Sequence, residues 1–271
     1  LEVLAVRRER AFHLRRVGRL VEAEAELRSI LPAMEARVGE LDPDLFDVVL
    51  VLAKVLRDAG RYPEAIACFE RRAGLVLARA RLWYGGEQNA DPTNAGGAWL
   101  ELADVRARAG DLDGAERDCR IGLAHYERHV VDFSRSILSG NALVDLGDIL
   151  ARRQRLDEAE QVYREGLTRL IHAVGSRPED YLRAFAGLRG LLETNGRAHG
   201  AKAVANAELA RLLAWAPAID RACAESPRFS SASRGNYLWV LGTVQAEAGD
   251  GAAARASLDA ALPHLIAACG A

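Results

Sequence analysis

The 271 residues carry 36 Lys and Arg against 38 Asp and Glu, a formal net charge of −2. A balance this even leaves no broad electrostatic surface for nucleic acid or an anionic membrane. No apolar run approaches the ~20 residues of a membrane span, and no signal peptide is recognisable. All but two of the cations (Lys54 and Lys202) are arginine. Beside abundant alanine, that skew fits a high-GC genome better than a phosphate-binding surface. Cys68, Cys119, Cys223 and Cys269 lie far apart with no C-x-x-C pair, which points to free thiols and away from zinc, and so to an expected cytoplasmic location. The chain opens at Leu1 without an initiator Met, as expected of a piece of a longer protein.

Six helix pairs are predicted in chain order, roughly 4–37, 46–84, 96–133, 140–175, 181–215 and 235–268, forming one array over 1–271. Each pair turns on one recurring phrase: Gly18-Arg-Leu-Val-Glu-Ala23, Gly60-Arg-Tyr-Pro-Glu-Ala65, Gly110-Asp-Leu-Asp-Gly-Ala115, Gln154-Arg-Leu-Asp-Glu-Ala159, Gly196-Arg-Ala-His-Gly-Ala201 and Gly249-Asp-Gly-Ala-Ala-Ala254. The leading glycine supplies the positive φ with which a helix commonly ends. Twelve residues before the closing Ala come Ala11, Ala53, Ala103, Gly147, Arg189 and Gly242. Four residues after it come Leu27, Phe69, Cys119, Tyr163, Ala205 and Leu258. Small residues let two helix backbones approach, and the bulky ones fill the space between them. Arg189, and Arg10 where the other repeats place Leu, depart from this pattern.

Between repeats, Val38-Gly39 before Pro43 and Val174-Gly175 before Pro178 combine a helix stop with a new start. Residues 84–92 and 226–233 are expected as polar loops. Pro32 and Pro263, each nine residues after its anchor Ala, are expected to bend the second helix of their repeats.

The small–Ala–bulky pattern resembles the tetratricopeptide repeat over nearly the whole chain. The anchor alanines lie 42, 50, 44, 42 and 53 residues apart by subtraction of their numbers, longer than the family's ~34. Units of this length resemble the kinesin-light-chain type, also common in bacterial regulatory ATPases and transcription regulators. The resemblance implies an all-α right-handed superhelix of six antiparallel helix pairs. It also implies a non-catalytic scaffold binding a peptide or protein in its concave groove, as the sensor or interaction part of a larger bacterial regulator. One alternative is an autoinhibitory or oligomerising arm of a signalling ATPase or transcription regulator. Another, of a different class, is an accessory subunit or enzyme with a site around Asp104, Asp148 and His125.

In this family the first helix of each pair lines the groove. Carried onto this sequence, the groove residues are Arg8, Arg15, Asp47, Lys54, Arg57, Asp104, Asn141, Asp148, Arg183, Asn236 and Trp239. Arg8, Arg15, Lys54 and Arg57 are expected to make one end basic, and Asp104 and Asp148 the middle acidic. Asn141 and Asn236, both in a Gly-Asn context, offer a donor and an acceptor to an extended peptide backbone. The family's carboxylate clamp for chaperone tails is not reproduced.

No cofactor and no metal are expected. His125 and His129 sit at helical spacing with Asp132 following, but the arrangement lacks the base of H-E-x-x-H. Gly85-Gly86 and Gly96-Gly97 lack the Lys-Ser/Thr of a phosphate loop. The Arg-rich start is interleaved with Glu2 and Glu9 and reads as a salt-bridged face. The last helix carries Leu258, Leu262, Leu265 and Ile266 with few charges, an apolar strip expected to be covered by a second copy or by another part of the parent protein.

Overall fold

The computed structural model describes residues 2–38, 41–83, 85–86, 91–128, 133–225 and 227–269. They form α1 (Glu2–Arg16), α2 (Leu20–Val38), α3 (Pro43–Asp58), α4 (Tyr62–Trp83), α5 (Pro92–Ala109), α6 (Leu112–Glu127), α7 (Phe133–Arg152), α8 (Leu156–Leu170), α9 (Pro178–Thr194), α10 (Ala198–Glu225), α11 (Pro227–Ala248) and α12 (Gly251–Cys269). One 3-10 turn, Ile171–Ala173, follows α8, and there is no strand among the described residues. The fold is all-α and built from consecutive helix pairs.

The recurring phrase makes the turn of every pair in the same way. Gly18, Gly60, Gly110, Gly196 and Gly249 hold φ between 71° and 95°, and Gln154 holds 62°. The amide of each left-handed residue bonds back three residues and the next amide bonds back five. Thus Gly60 N donates to Arg57 O at 2.9 Å and Arg61 N to Leu56 O at 2.9 Å. Gln154 and Arg155 repeat it on Ala151 and Leu150, both at 3.0 Å. This is the Schellman termination, which satisfies the last carbonyls of one helix while aiming the chain into the next. Where the residue after the turn is Asp, it caps the new helix: Asp111 Oδ1 accepts from Gly114 N at 2.9 Å, and Asp250 Oδ1 from Ala253 N at 3.0 Å.

Packing follows the aligned positions. The anchors Ala23, Ala65, Ala115 and Ala159 are fully enclosed, and Ala201 and Ala254 nearly so. Leu27, Phe69, Cys119, Tyr163 and Ala205 are buried four residues later. Leu258, at the same position of the sixth repeat, is 41% exposed. Arg10 is exposed, as its place off the Leu pattern suggests.

The chain forms two compact units, Leu1–Val131 and Asp132–Ala271. The first centres on Leu27, Ile30, Leu45, Leu56, Phe69 and Leu102. In the second, the largest enclosed side chains include Leu150, Leu167, Leu170, Tyr181, Leu188 and Leu212.

Several sequence expectations change. Residues 227–233 are not a loop but the first turns of α11, which Pro227 opens where its missing N–H costs nothing. Ser226, Tyr84 and residues 87–90 of the expected loops lie outside the described residues. The helix expected to close near residue 215 continues as α10 to Glu225 and contains Pro217. Pro32 and Pro263 lie inside the second helices of their repeats, where the sequence placed them.

Candidate functional site

In the N-terminal unit, the sequence-predicted groove residues of α1, α3 and α5 meet as a ladder of ion pairs. Arg8 Nη1 lies 3.3 Å from both Asp44 and Asp47, and Arg15 Nη1 lies 2.6 Å from Asp58. One step on, Lys54 Nζ reaches Glu101 at 2.7 Å, while Arg57 Nη1 bridges Glu101 at 3.4 Å and Asp104 at 3.2 Å. Arg108 closes the row on Asp104 at 2.9 Å. The expected basic end is therefore not a free cationic surface. Every one of its four cations faces a carboxylate on a first helix. The partners lie about one repeat away in sequence, so each pair ties neighbouring first helices together.

A parallel set ties the second helices. Arg61 Nη1 donates to Glu24 at 2.6 Å, Arg28 reaches Glu64 at 3.2 Å, and Arg71 pairs with Glu35, while Arg106 on the first helix α5 reaches back to Glu70 on α4. Exposed pairs of this kind contribute little singly, typically ~0.2–1 kcal/mol. Their value lies in fixing the register of neighbouring repeats.

In the C-terminal unit, α7 and α9 present Asn141, Asp145 and Arg183 together. Arg183 Nη1 donates to Asp145 at 2.8 Å and Nη2 to the Asn141 carbonyl at 3.4 Å. Asn141 Oδ1 is enclosed and has no hydrogen-bond partner. Asp148 accepts from the Tyr163 hydroxyl. Burial, reinforced by Asp148, pushes that hydroxyl far above the ordinary phenol range and keeps it a donor. Asn236 behaves differently from Asn141: its Nδ2 donates to the Gly175 carbonyl at 2.9 Å, 61 residues away in sequence. One of its two amide donors is spent inside the fold. Trp239 is 38% exposed on α11.

Sequence reasoning did not select Asp145, Glu101 or the Arg189–Glu247 pair at 2.6 Å, which joins α9 to α11. Opposite charges recurring about one repeat apart on aligned helices were the available signal. Arg189 sits where a small residue was expected, and it turns that position from a packing contact into an ion pair.

The alternative catalytic cluster gains no geometry. His125 is buried within α6, Asp104 is paired with Arg57 and Arg108, and His129 and Asp132 lie outside the described residues. No group of three metal-ligating side chains occurs among the described residues, and no described helix is long and apolar enough to cross a membrane. On α12, Leu258, Leu262 and Ile266 are exposed on successive turns. Leu265 instead is half-buried, packed where a Cβ on Gly235 would meet it at 2.9 Å. It leaves the expected apolar strip.

The family model of the tetratricopeptide repeat matches residues 48–71, 140–165 and 236–260, three of the six phrases and the helices around them. No curated protein matches the chain. Among solved structures, it is similar to the nearly identical TPR-like repeats ascribed to a kinesin light chain of Podospora anserina. The TM-score is 0.59 at 15% identity, covering 74% of this chain and 90% of that one. It is also similar to BtubC (BKLC) from P. vanneervenii, with a TM-score of 0.52 at 21% identity over 95% and 92%. At these identities the likeness speaks for the helix-pair fold alone.

Proposed function

We propose that this chain, which carries tetratricopeptide repeats and so has the fold of a protein-interaction scaffold, is a non-catalytic module that binds an extended peptide or protein segment. The segment lies along the first helices of the repeats. The reading rests chiefly on Asn141. Its Oδ1 has no partner inside the fold and lies beside the Arg183–Asp145 ion pair on the neighbouring surface. A small rotation about the broad terminal torsion of the amide turns that oxygen toward a ligand N–H. The paired charges of the first-helix rows favour a segment of mixed sign over a strongly acidic or basic one. We read the module as the sensor or interaction part of a larger bacterial regulatory protein, a reading that the long repeats support. A DNA-binding or ATPase domain encoded alongside it would bear that out.

The test is a peptide library panned on the purified chain, with selected peptides measured by calorimetry on Asn141→Ala, Asp145→Ala and Arg183→Ala. Loss of affinity in these variants with unchanged melting supports the reading. Full affinity in all three places the ligand elsewhere and ends it.

A second reading, self-association, is favoured by the α12 stripe of Leu258, Leu262 and Ile266, 41%, 57% and 63% exposed at four-residue spacing. Such a stripe is self-complementary about a two-fold axis. Sedimentation of the chain and of Leu262→Glu decides it: a dimer that the substitution dissociates supports it, and a monomer at all concentrations removes it.

A further inference from the structure

Four positions on the first helix of each repeat, 20, 17, 13 and 10 residues before the anchor alanine, share one helix face. In the second repeat they are Leu45, Val48, Leu52 and Val55, and in the third Ala95, Ala98, Leu102 and Val105, all enclosed. In the first repeat they are Val3, Val6, Arg10 and His13, all exposed, the valines at 72% and 68%. Both the first and the second repeat have their own second helix and a following repeat. What covers the second is the helix that precedes it, α2, whose Leu27, Ile30 and Met34 share one core with Leu45, Val48, Leu52 and Val55. The face that α2 covers on α3 is open on α1.

The turn carries a second mark of the same junction. Arg61 grips Glu64 of its own turn through Nε at 2.7 Å and Nη2 at 2.5 Å. Its Nη1 donates to Glu24 on the covering helix α2 at 2.6 Å. Arg197 likewise donates through Nη1 to Glu160 on α8 at 3.1 Å. Both carboxylates sit one residue after an anchor alanine. Arg19 holds the corresponding place in the first phrase and grips Glu22 in the same way, through Nε and Nη2 at 2.6 Å. Its Nη1 has no partner among the described residues. A carboxylate on a covering helix would complete Arg19 as Glu24 completes Arg61.

The open face is also charged where its counterparts are apolar. Arg10 stands in place of leucine and meets only Glu26, at 3.8 Å, an acid that Arg7 already holds at 2.5 Å. His13 stands in place of valine. The face thus joins an apolar half, Val3 and Val6, to basic groups at Arg10 and Arg19, and charge of that sign selects an acidic partner. A second copy of this chain does not fit. Its last helix carries Arg255 one residue after the anchor Ala254, and stacking would set Arg255 against Arg19.

We infer that the open face of α1 and the α1–α2 turn form a docking site for an acidic amphipathic helix of a partner protein. The helix lies across α1 as α2 lies across α3, its apolar side on Val3 and Val6 and its carboxylates on Arg10 and Arg19. Arg8 and Arg15 of the first-helix row are not among the four positions, so the inference stands or falls independently of the function proposed above.

The probe is a fluorescein-labelled, lactam-bridged peptide of residues 20–38, the helix that covers the equivalent face on α3. Four glutamates against two arginines make it acidic. Fluorescence anisotropy on the full chain should show saturable binding, and a scrambled peptide of the same composition should not bind. Val6→Asp and Arg19→Glu should each weaken binding about tenfold or more. Both residues are exposed, so melting should hold in both variants. The peptide with Glu24→Arg should bind the parent weakly and regain affinity on Arg19→Glu. No binding to the parent, equal binding of the scrambled peptide, undiminished binding in either variant, or no recovery in the charge-swapped pair overturns the inference. So does a chain that sediments as a dimer and is dissociated by Val6→Asp, because the occupant is then a second copy.

Discussion

Tyr163 occupies the space that a side chain on Gly147 would take: a Cβ built there meets the ring at 2.8 Å. The ring is also hemmed in from α9, where a Cβ on Gly187 would meet it at 2.7 Å. Its hydroxyl is held by Asp148. The ring is thus seated between two helices that approach closely only because each has a glycine at the contact.

Glycine in a helix interior ordinarily costs about 1 kcal/mol relative to alanine, so Gly147→Ala would stabilise an open helix. Here the Cε1–Cζ edge of the ring is met from both glycines, so it cannot back away from one without approaching the other. Gly147→Ala and Gly187→Ala should each destabilise by about 1–3 kcal/mol through overpacking. Combining either with Tyr163→Leu should recover part of the loss. Denaturant midpoints of singles and doubles read this directly, and a stabilised Gly147→Ala would mean the ring is not confined.

Gln154 is the one non-glycine residue among the described residues with positive φ, in the turn that glycine makes in the other five phrases. A left-handed conformation costs an L-residue roughly 1–2 kcal/mol, offset in part by the extra unfolded-state freedom of glycine. Gln154→Gly should raise stability by about 0.5–1 kcal/mol, seen as a higher midpoint at unchanged denaturant slope. A loss of stability would show that the Gln side chain contributes contacts that outweigh the strain.

Asp111 gives a prediction in pH. The Gly114 amide, helped by Arg106, holds its carboxyl below the ordinary range near 4. A depressed folded-state pKa contributes stability that is present above the unfolded value and lost as pH falls through the folded one. Asp111→Ala should therefore cost about 1 kcal/mol at neutral pH, with the gap to the parent narrowing as pH falls below about 4. A gap that is constant down to pH 2 would assign the loss to something other than the ionised cap.

The repeat phrase was legible because its demands are local. A left-handed turn, a capping residue and a methyl-sized anchor can each be read within six residues, and Gln154 was recognisable by its neighbours. The groove was legible only as a set of positions. Whether Arg57 or Lys54 presents a free charge depends on Glu101 and Asp104, more than 40 residues on, and sequence alignment within one repeat does not see the next. Leu265 was misplaced because four leucine and isoleucine residues close together do not reveal which one packs on Gly235.

The two asparagines that share a sequence context should separate under mutation. Asn236→Ala removes a donor from the Gly175 carbonyl and leaves that acceptor without its partner, at a cost of about 1–2 kcal/mol in stability. Asn141→Ala removes an oxygen that has no partner, so folding should change by no more than ~0.5 kcal/mol. If a ligand backbone completes Asn141, affinity for a selected peptide should fall by ~1 kcal/mol or more in Asn141→Ala. In Asn236→Ala, measured well below its melting temperature, affinity should hold. Melting curves and calorimetry on the same two proteins give all four values. Equal losses of affinity would make both amides ligand contacts, and the Asn236–Gly175 bond would then have to open on binding.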